Sequence, residues 1–212
     1  MNIKAVIFDL DGVILSTDEY HYLAWKAIAD SLNIPFDKEK NNKLRGVSRM
    51  ASLDIILDGY GKYTLKQKEE LAEKKNNIYR QLLGNMTPDI VDKKVIFTLD
   101  TLKKNNIKIG IGSSSKNTKF ILEKVNLLNK FDVIVDGNDI KNSKPDPEVF
   151  TLCAKRLNEK PCDCLVVEDA ISGIEAACRG GFVPVAISDA KKHQKAQYKI
   201  DTLDEIIKLI AW

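Results

Sequence analysis

Short apolar runs near the N-terminus and throughout the second half of the chain predict buried strands. Five such runs read AVIF (5–8), IKIGIG (107–112), DVIV (132–135), CLVV (164–167) and PVAI (184–187). Runs that are apolar at nearly every position, rather than at alternate positions, are typical of strands covered on both faces of a parallel sheet. The pattern therefore predicts a parallel sheet buried between helices.

Between the later strands, apolar residues repeat at spacings of three and four, which predicts amphipathic helices. The segments are NTKFILEKVNLL, PEVFTLCAKRLN and ISGIEAACRG, and Gly180 and Gly181 close the last of them. Strands that alternate with helices in this way form a doubly wound α/β sheet, so we predict a Rossmann-like core of that class.

Residues 9–106 lie between the first predicted strand and the second, far more than one crossover helix requires. Two stretches of this segment are amphipathic, EYHYLAWKAIADSLNI and LKQKEELAEKKNNIYRQLL. The excess predicts an inserted helical cap domain at residues 17–85, with a core domain formed by residues 1–16 and 86–212. The linkers at both ends of the cap would act as hinges.

The charge and hydropathy of the chain exclude several classes of function. Lysine and arginine number 33 against 30 acidic residues, a net charge of +3, and no basic stripe interleaved with aromatic residues is present. No apolar stretch approaches the roughly 18 residues that a membrane span needs, and the N-terminus has no signal-peptide pattern. We therefore expect a cytoplasmic protein without nucleic-acid or membrane partners. A monomer is also expected, although no feature of the sequence decides the oligomeric state.

Polar and charged residues follow four of the predicted strands. They are Asp9 and Asp11, then Ser113, Ser114 and Ser115, then Lys144, then Glu168 and Asp169. Ligands of open parallel sheets bind beyond the carboxyl ends of the strands, so these side chains are expected to converge. Each alone has an ordinary explanation as a cap or turn residue. Converging carboxylates repel unless a cation lies among them, and hard oxygen ligands suit Mg²⁺.

Asp9 and Asp11 have a spacing that suits two-step chemistry. Residues two apart on extended backbone project to the same side, and Gly12 allows the chain to turn away behind them. One carboxylate can attack phosphorus to give an aspartyl-phosphate, while the other moves a proton. Mg²⁺ and a lysine would offset the charge that opposes attack on an anion.

Four motifs, DLDGV, SSS, SKPDPE and VEDAISGI, resemble in order and spacing those of the haloacid dehalogenase superfamily of phosphotransferases, and the resemblance covers essentially the whole chain. It implies a catalytic set of four residues: Asp9 as nucleophile, Asp11 as general acid/base, Ser113 as phosphate ligand and Lys144 as charge partner. It also implies that Mg²⁺ is held by Asp9, the main-chain carbonyl of Asp11, Glu168 and Asp169.

The cap segments EYHYLAWKAIA, RGVSR and KKNNIY, with SSSKN in the core, resemble the β-phosphoglucomutase subfamily. Its members interconvert β-glucose 1-phosphate and glucose 6-phosphate through bound β-glucose 1,6-bisphosphate. The resemblance implies sugar-phosphate partners, with the bisphosphate as an activating intermediate. A second phosphate must then be held far from Asp9, which suits an arginine fork, and Arg49 is the candidate.

The same resemblance implies a set of substrate-binding residues. They are His21, Trp25, Gly46, Val47, Ser48, Arg49, Ser52, Lys75 and Asn76 in the cap, and Ser114, Ser115, Lys116 and Asn117 in the core. Two of them have competing explanations, because Trp25 also suits the core of the cap and Lys75 lies in a lysine-rich helix that could be solvated.

Some positions depart from the subfamily pattern: Ser16, Lys93, Lys94 and Asp146. None is part of the expected chemistry, but they leave the preferred sugar open. The alternative enzyme is a magnesium-dependent phosphatase of a small sugar phosphate, which would have the same core. An inactive phosphosugar sensor on this fold is a third possibility, and the presence of both Asp9 and Asp11 argues against it.

Overall fold

A computed structural model describes residues 2–44 and 47–210. The chain divides into two compact units. The first is formed by Met1–Ser16 and Thr87–Trp212, and the second by Thr17–Met86. The second unit therefore ends one residue beyond the limit expected for the cap.

The second unit is helical and has its own apolar core. Its helices are α1 (Asp18–Ser31), α2 (Lys38–Asn42), α3 (Arg49–Leu57) and α4 (Leu65–Leu83). Trp25, Ile28, Leu53 and Ile56 are among the buried residues that pack together between them. The sequence pattern does not predict α3, which begins because the Ser48 side chain caps it by accepting from the Ala51 N–H.

A six-stranded parallel sheet forms the centre of the first unit. Its strands are β1 (Ala5–Phe8), β2 (Lys108–Gly112), β3 (Val133–Val135), β4 (Cys164–Glu168), β5 (Val183–Ala186) and β6 (Tyr198–Lys199). The strand order is β3-β2-β1-β4-β5-β6, and every neighbouring pair is parallel. The order reverses at β1, the place where such sheets bind ligands. The predicted doubly wound α/β class is confirmed.

Helices of the first unit cover the sheet, so that both faces of its central strand are buried. They are α5 (Lys93–Lys104), α6 (Thr118–Lys124), α7 (Glu148–Leu157) and α8 (Ile171–Arg179). All four residues of β1 are fully buried. A Cβ on Gly112 would lie 2.7 Å from Cδ1 of Phe150, so this glycine lets α7 pack closely on the sheet.

The predicted strands agree with the structure to within one residue at each end, whereas several other elements differ. The first cap helix ends at Ser31 rather than at residue 34, and the sequence pattern does not predict α5. The predicted helix at 117–128 is shorter, because Asn126 has a φ of 58° and the chain leaves the helix after Lys124. Strand β6 has only two residues and gives no apolar run to predict it. Within the described residues, no helix has both the length and the apolar character to cross a bilayer.

Two apolar residues of α5 provide a test of this packing. Leu99 is fully buried, whereas Phe97 is 59% exposed. Leu99→Ala is expected to lower the free energy of unfolding by about 2–5 kcal/mol, because it leaves a cavity. Phe97→Ala should change it by less than about 0.5 kcal/mol. Urea unfolding followed by circular dichroism measures both values, and equal losses in the two variants would contradict the assigned packing of α5.

Candidate active site

Lys144 joins two buried carboxylates that follow or end neighbouring strands. Asp9 follows β1 and Glu168 ends β4, and these strands lie side by side in the sheet. The Lys144 ammonium donates to Asp9 Oδ1 and to Glu168 Oε1, each at 2.5 Å. The side chains of Lys144, Asp9 and Glu168 are 6%, 10% and 1% exposed. Three predicted site residues, far apart in sequence, thus form one buried cluster.

The surroundings hold this cluster in place. Glu168 also accepts from the Ala170 N–H at 2.9 Å, and a Cβ on Gly173 would lie 1.9 Å from the Glu168 Cδ. Only glycine therefore leaves room for the Glu168 side chain against the start of α8. The Lys144 ammonium also lies 4.6 Å from the centre of the Phe150 ring, a favourable cation–π distance.

Burial and charge act together on the ionisation of the cluster. Burial raises the pKa of Asp9 well above its ordinary value, and Glu168, Asp169 and Asp11 raise it further, while Lys144 opposes them. Burial lowers the pKa of Lys144, but the Asp9 and Glu168 carboxylates outweigh this effect and hold it above the ordinary value. Lys144 is therefore cationic and contacts Asp9 and Glu168, while Asp169 and Asp11 also lie close enough to act on Asp9. This excess of negative charge suits a divalent cation.

Asp11 lies in a tight turn that is shaped by Gly12. The Gly12 N–H donates to the Leu15 carbonyl at 2.8 Å, and Gly12 has a φ of 77°. A Cβ on Gly12 would lie 2.2 Å from Asp169 Oδ2. Glycine is needed here both for the backbone conformation and for the approach of the Asp169 carboxylate. The turn therefore places the Asp169 carboxylate against Gly12, directly after Asp11.

The predicted phosphate ligands lie in one loop after β2. The Ser113 hydroxyl accepts from the Ser115 N–H, and the Ser115 hydroxyl accepts from the Asn117 N–H, both at 3.2 Å. The Ser114 Oγ is buried and has no hydrogen-bond partner among the described residues. A buried hydroxyl without a partner is costly, and it would gain one by donating to a phosphate oxygen.

His21 and Lys75 interact within the second unit. The Lys75 Nζ lies 2.8 Å from His21 Nδ1 and 4.3 Å from the centre of the Tyr79 ring. Burial lowers the pKa of His21 well below its ordinary value, and Lys75 and Arg49 lower it further. His21 is therefore neutral, with Nδ1 accepting from Lys75 and the Nε2–H available as a donor.

The side-chain positions decide between some of the explanations that the sequence leaves open. The prediction that Lys75 could be a solvated surface residue is wrong, because Lys75 is only 2% exposed. Trp25 is 3% exposed and belongs to the apolar core of the second unit, while the Lys75 ammonium lies over its ring, 5.0 Å from the ring centre. Sequence reasoning missed Tyr79, which donates to the Thr17 hydroxyl at 3.0 Å. Tyr79 lies four residues after Lys75 on α4 and therefore on the same face of the helix, and this spacing could have identified it.

Arg49 and Asn76 meet across α3 and α4. The Arg49 Nη2 donates to Asn76 Oδ1 at 2.8 Å, and the Arg49 Nη1 lies 3.9 Å from a Glu73 carboxylate oxygen. Burial lowers the pKa of Arg49, while Glu73 opposes the effect, and a guanidinium stays charged in either case. Of the other predicted cap residues, Val47 is exposed and Ser52 is buried. Gly46 lies outside the described residues.

The described residues do not form a complete set of metal ligands. In residues 2–44 and 47–210, no group of three or more His, Cys, Asp or Glu side chains is placed to hold a metal ion. Asp9 and Glu168 each direct one oxygen to Lys144, and the ligand expected from Asp11 is a main-chain carbonyl. The carboxylates fit Mg²⁺ by charge and by type of donor atom. The magnesium site stays a prediction.

Comparisons with known proteins place these features in a family. A family model described as haloacid dehalogenase-like hydrolase matches residues 3–181. The β-phosphoglucomutase of Bacillus subtilis is 44% identical over 191 residues, 89% of this chain and 84% of that protein. A phosphorylated carbohydrates phosphatase of Thermotoga maritima is 32% identical over 84% of this chain and 82% of its own. The crystal structure of a Clostridium difficile β-phosphoglucomutase covers 98% of this chain and 96% of its own, with 40% identity and a TM-score of 0.90.

Removal of the Lys144 ammonium tests the charge balance of the cluster. With chelator present, Lys144→Met should lower the free energy of unfolding by about 3–5 kcal/mol at neutral pH, because two buried carboxylates lose their counter-charge. Burial, Glu168, Asp169 and Asp11 raise the pKa of Asp9, and in this variant Lys144 no longer opposes them, so the folded state binds more protons than the unfolded state. The loss should therefore be complete above the raised pKa of Asp9 and disappear below the ordinary carboxyl pKa of about 4.

The control is Lys141→Met, which removes an exposed lysine nearby in the chain. It should leave the free energy of unfolding within about 0.5 kcal/mol of the wild type. Urea unfolding across the acid to neutral range measures both variants. A loss in Lys144→Met that is the same at acid and neutral pH would contradict the assigned charge balance.

Proposed function

Because the chain belongs to the haloacid dehalogenase-like hydrolase family and is an enzyme, we propose that it is a β-phosphoglucomutase. It would interconvert β-glucose 1-phosphate and glucose 6-phosphate through an aspartyl-phosphate and β-glucose 1,6-bisphosphate. The observation that carries the proposal is the buried contact of Lys144 with Asp9 and Glu168. The two relatives named β-phosphoglucomutase support the choice of substrate.

We propose that Asp9 is the nucleophile. Lys144 holds its Oδ1, which leaves the other carboxylate oxygen to attack the phosphorus atom. The bond from phosphorus to the sugar oxygen then breaks, and Asp11 supplies the proton that this oxygen needs to leave as a hydroxyl. In the other half of the reaction Asp11 takes the proton of the 6-hydroxyl of β-glucose 1-phosphate, whose oxygen attacks the aspartyl-phosphate. The bond from phosphorus to Asp9 breaks, which frees Asp9 and gives β-glucose 1,6-bisphosphate. Hydroxyl donors of Ser113 and Ser114 would hold the phosphoryl oxygens.

We propose that Mg²⁺ binds Asp9, Glu168, Asp169 and the main-chain carbonyl of Asp11. When bound, it would offset the charge of the phosphoryl group and of the carboxylate that attacks it. The charges in the site support this assignment, because Lys144 alone cannot balance the carboxylates around Asp9. The resemblance of the four motifs supplies the choice of metal.

We further propose that residues 17–85 act as the cap that recognises the sugar phosphate. Arg49 would bind the second phosphate as a fork, and its hydrogen bond to Asn76 fixes the plane of the guanidinium. The neutral His21 would offer its Nε2–H to the sugar phosphate as an uncharged donor. Trp25, Val47, Ser48, Ser52 and Lys75 stay predicted contacts of the cap.

A phosphatase of phosphorylated sugars is the second candidate. The relative from Thermotoga maritima, at 32% identity, carries such a name. The two functions differ in which group accepts the phosphoryl group from Asp9. A mutase must exclude water and present a sugar hydroxyl, whereas a phosphatase admits water.

Product analysis separates the two candidates. Given β-glucose 1-phosphate and a trace of β-glucose 1,6-bisphosphate, the enzyme should form glucose 6-phosphate in large excess over inorganic phosphate. Omission of the bisphosphate should cause a lag, because Asp9 must first be phosphorylated. Coupled assays measure both products in parallel. Inorganic phosphate as the main product from several hexose phosphates would reject the mutase and favour the phosphatase.

Arg49→Ala should raise the KM for β-glucose 1,6-bisphosphate, because the second phosphate loses charge-assisted hydrogen bonds worth about 1.5–3 kcal/mol each. The expected rise is about tenfold or more. Lys74→Ala removes an exposed cation of α4 and is the matched control, for which we expect a KM close to that of the wild type. Equal KM values in the two variants would exclude Arg49 as the phosphate fork.

Metal removal tests the magnesium assignment. Excess EDTA should abolish conversion of β-glucose 1-phosphate, and added Mg²⁺ should restore it. Ca²⁺ should restore only slow conversion, because its larger and looser coordination shell misplaces the phosphoryl group. Full activity in excess chelator would reject the assignment.

A further inference from the structure

A second loop supports the serine loop from behind. It follows β3 and comprises residues 136–139. The Gly137 N–H donates to the Ser115 carbonyl, and the Asn138 side-chain amide donates to the Lys116 carbonyl, both at 3.1 Å. Two consecutive carbonyls of the predicted phosphate-binding loop are thus held by donors from another part of the chain.

The supporting loop is itself firmly held. Asp136 is 1% exposed, and its Oδ1 accepts from the Asn138 main-chain N–H at 2.8 Å and from the Asn138 side-chain amide at 3.0 Å. Asp139 accepts from the Asp136 N–H at 3.0 Å, and Arg156 of α7 donates to Asp139 at 2.8 Å. The Asn138 amide faces two oxygen acceptors, which fixes its orientation with the nitrogen towards Lys116.

Gly137 packs directly on the serine loop. A Cβ at this position would lie 2.3 Å from the Ser114 carbonyl oxygen and 3.1 Å from Cγ of Lys116. The nearest of these atoms belongs to the backbone and could move only if the loop moved. Any larger residue would therefore displace the serine loop.

Because the carbonyls of the serine loop are held on one side, the peptide geometry also fixes the direction of the N–H groups on the opposite side. The carbonyl of one residue and the N–H of the next point in opposite directions across a trans peptide. The bonds to the Ser115 and Lys116 carbonyls therefore turn the N–H groups of Lys116 and Asn117 away from the supporting loop. We propose that Gly137 and Asn138 are positioning residues that set the geometry of the phosphate-binding loop Ser113–Asn117.

This inference rests on the proposed sugar-phosphate function and gives the two residues different tasks. Asn138 contacts the Lys116 end of the loop, where the second phosphate is expected. Gly137 packs on the Ser114 end, where the transferred phosphoryl group is expected. Loss of the Asn138 amide should therefore impair substrates that carry a second phosphate. It should spare a small phosphoryl donor that reaches only Asp9.

The test compares β-glucose 1,6-bisphosphate with acetyl phosphate, whose single phosphoryl group has no distal partner. In Asn138→Ala, KM for the bisphosphate should rise about 3- to 10-fold, the effect of one lost hydrogen bond. The steady-state rate of acetyl phosphate hydrolysis should stay within about twofold of the wild type. Asn138→Asp keeps the shape but has no donor, so its KM should rise at least as much as in Asn138→Ala. Gly137→Ala should slow both reactions.

Asn129→Ala is the matched control, because Asn129 is also an exposed asparagine of the first unit. Urea unfolding should show that Asn138→Ala is less stable than the control, because it loses its hydrogen bonds to Lys116 and Asp136, but that it remains folded under the assay conditions. Equal losses with both substrates, or a wild-type KM in Asn138→Asp, would overturn the positioning role. If wild-type enzyme fails to convert β-glucose 1-phosphate, the mutase proposal fails instead. The same comparison then applies to any hexose bisphosphate that the enzyme dephosphorylates.

Discussion

The contact of one buried lysine with two buried carboxylates is the interaction on which the rest of the site depends. Asp9 follows β1 and Glu168 ends the adjacent strand β4, where their charges would repel at close range in a medium that screens poorly. The Lys144 ammonium reduces that repulsion and holds one oxygen of each. A buried charge that loses its partner is strongly destabilising, so the arrangement is stable only when Lys144, Asp9 and Glu168 are all present. The same arrangement leaves the second oxygen of Asp9 without a contact to Lys144 and near further carboxylates, and for this reason the site suits a metal and a phosphate together.

The parallel sheet explains how residues so distant in sequence reach this contact. β1 lies between β2 and β4, so the segments that follow these three strands emerge side by side at one edge. The first carries Asp9, the second the serine loop, and the third Glu168 and Asp169. Glycines at 12, 112 and 173 permit the close approaches that this convergence needs, since a Cβ at any of them would meet another side chain. The loop at 136–139 adds a second layer, because its donors hold the carbonyls of the serine loop.

The sequence predicts the parts of this arrangement that depend on local pattern. Apolar runs locate the strands, and Asp9 and Glu168, which directly follow two of these runs, are among the residues that the structure brings together. It could not predict contacts that depend on three-dimensional packing. Lys75 stands among exposed lysines and glutamates, and only the neighbouring rings of Trp25 and Tyr79 show that it is buried. The hydrogen bond from Asn138 to the Lys116 carbonyl joins two loops 22 residues apart, and no periodic pattern in the sequence predicts it.

The central claim is that Asp9 carries the phosphoryl group between two positions on the sugar. The most direct measurement is a rapid acid quench of enzyme mixed with β-glucose 1,6-bisphosphate bearing labelled phosphate, followed by mapping of the label by mass spectrometry. The label should be found on the peptide that contains Asp9, should be released by hydroxylamine as expected of an acyl phosphate, and should be absent in Asp9→Asn. Label on Ser113, or full turnover in Asp9→Asn, would contradict the account.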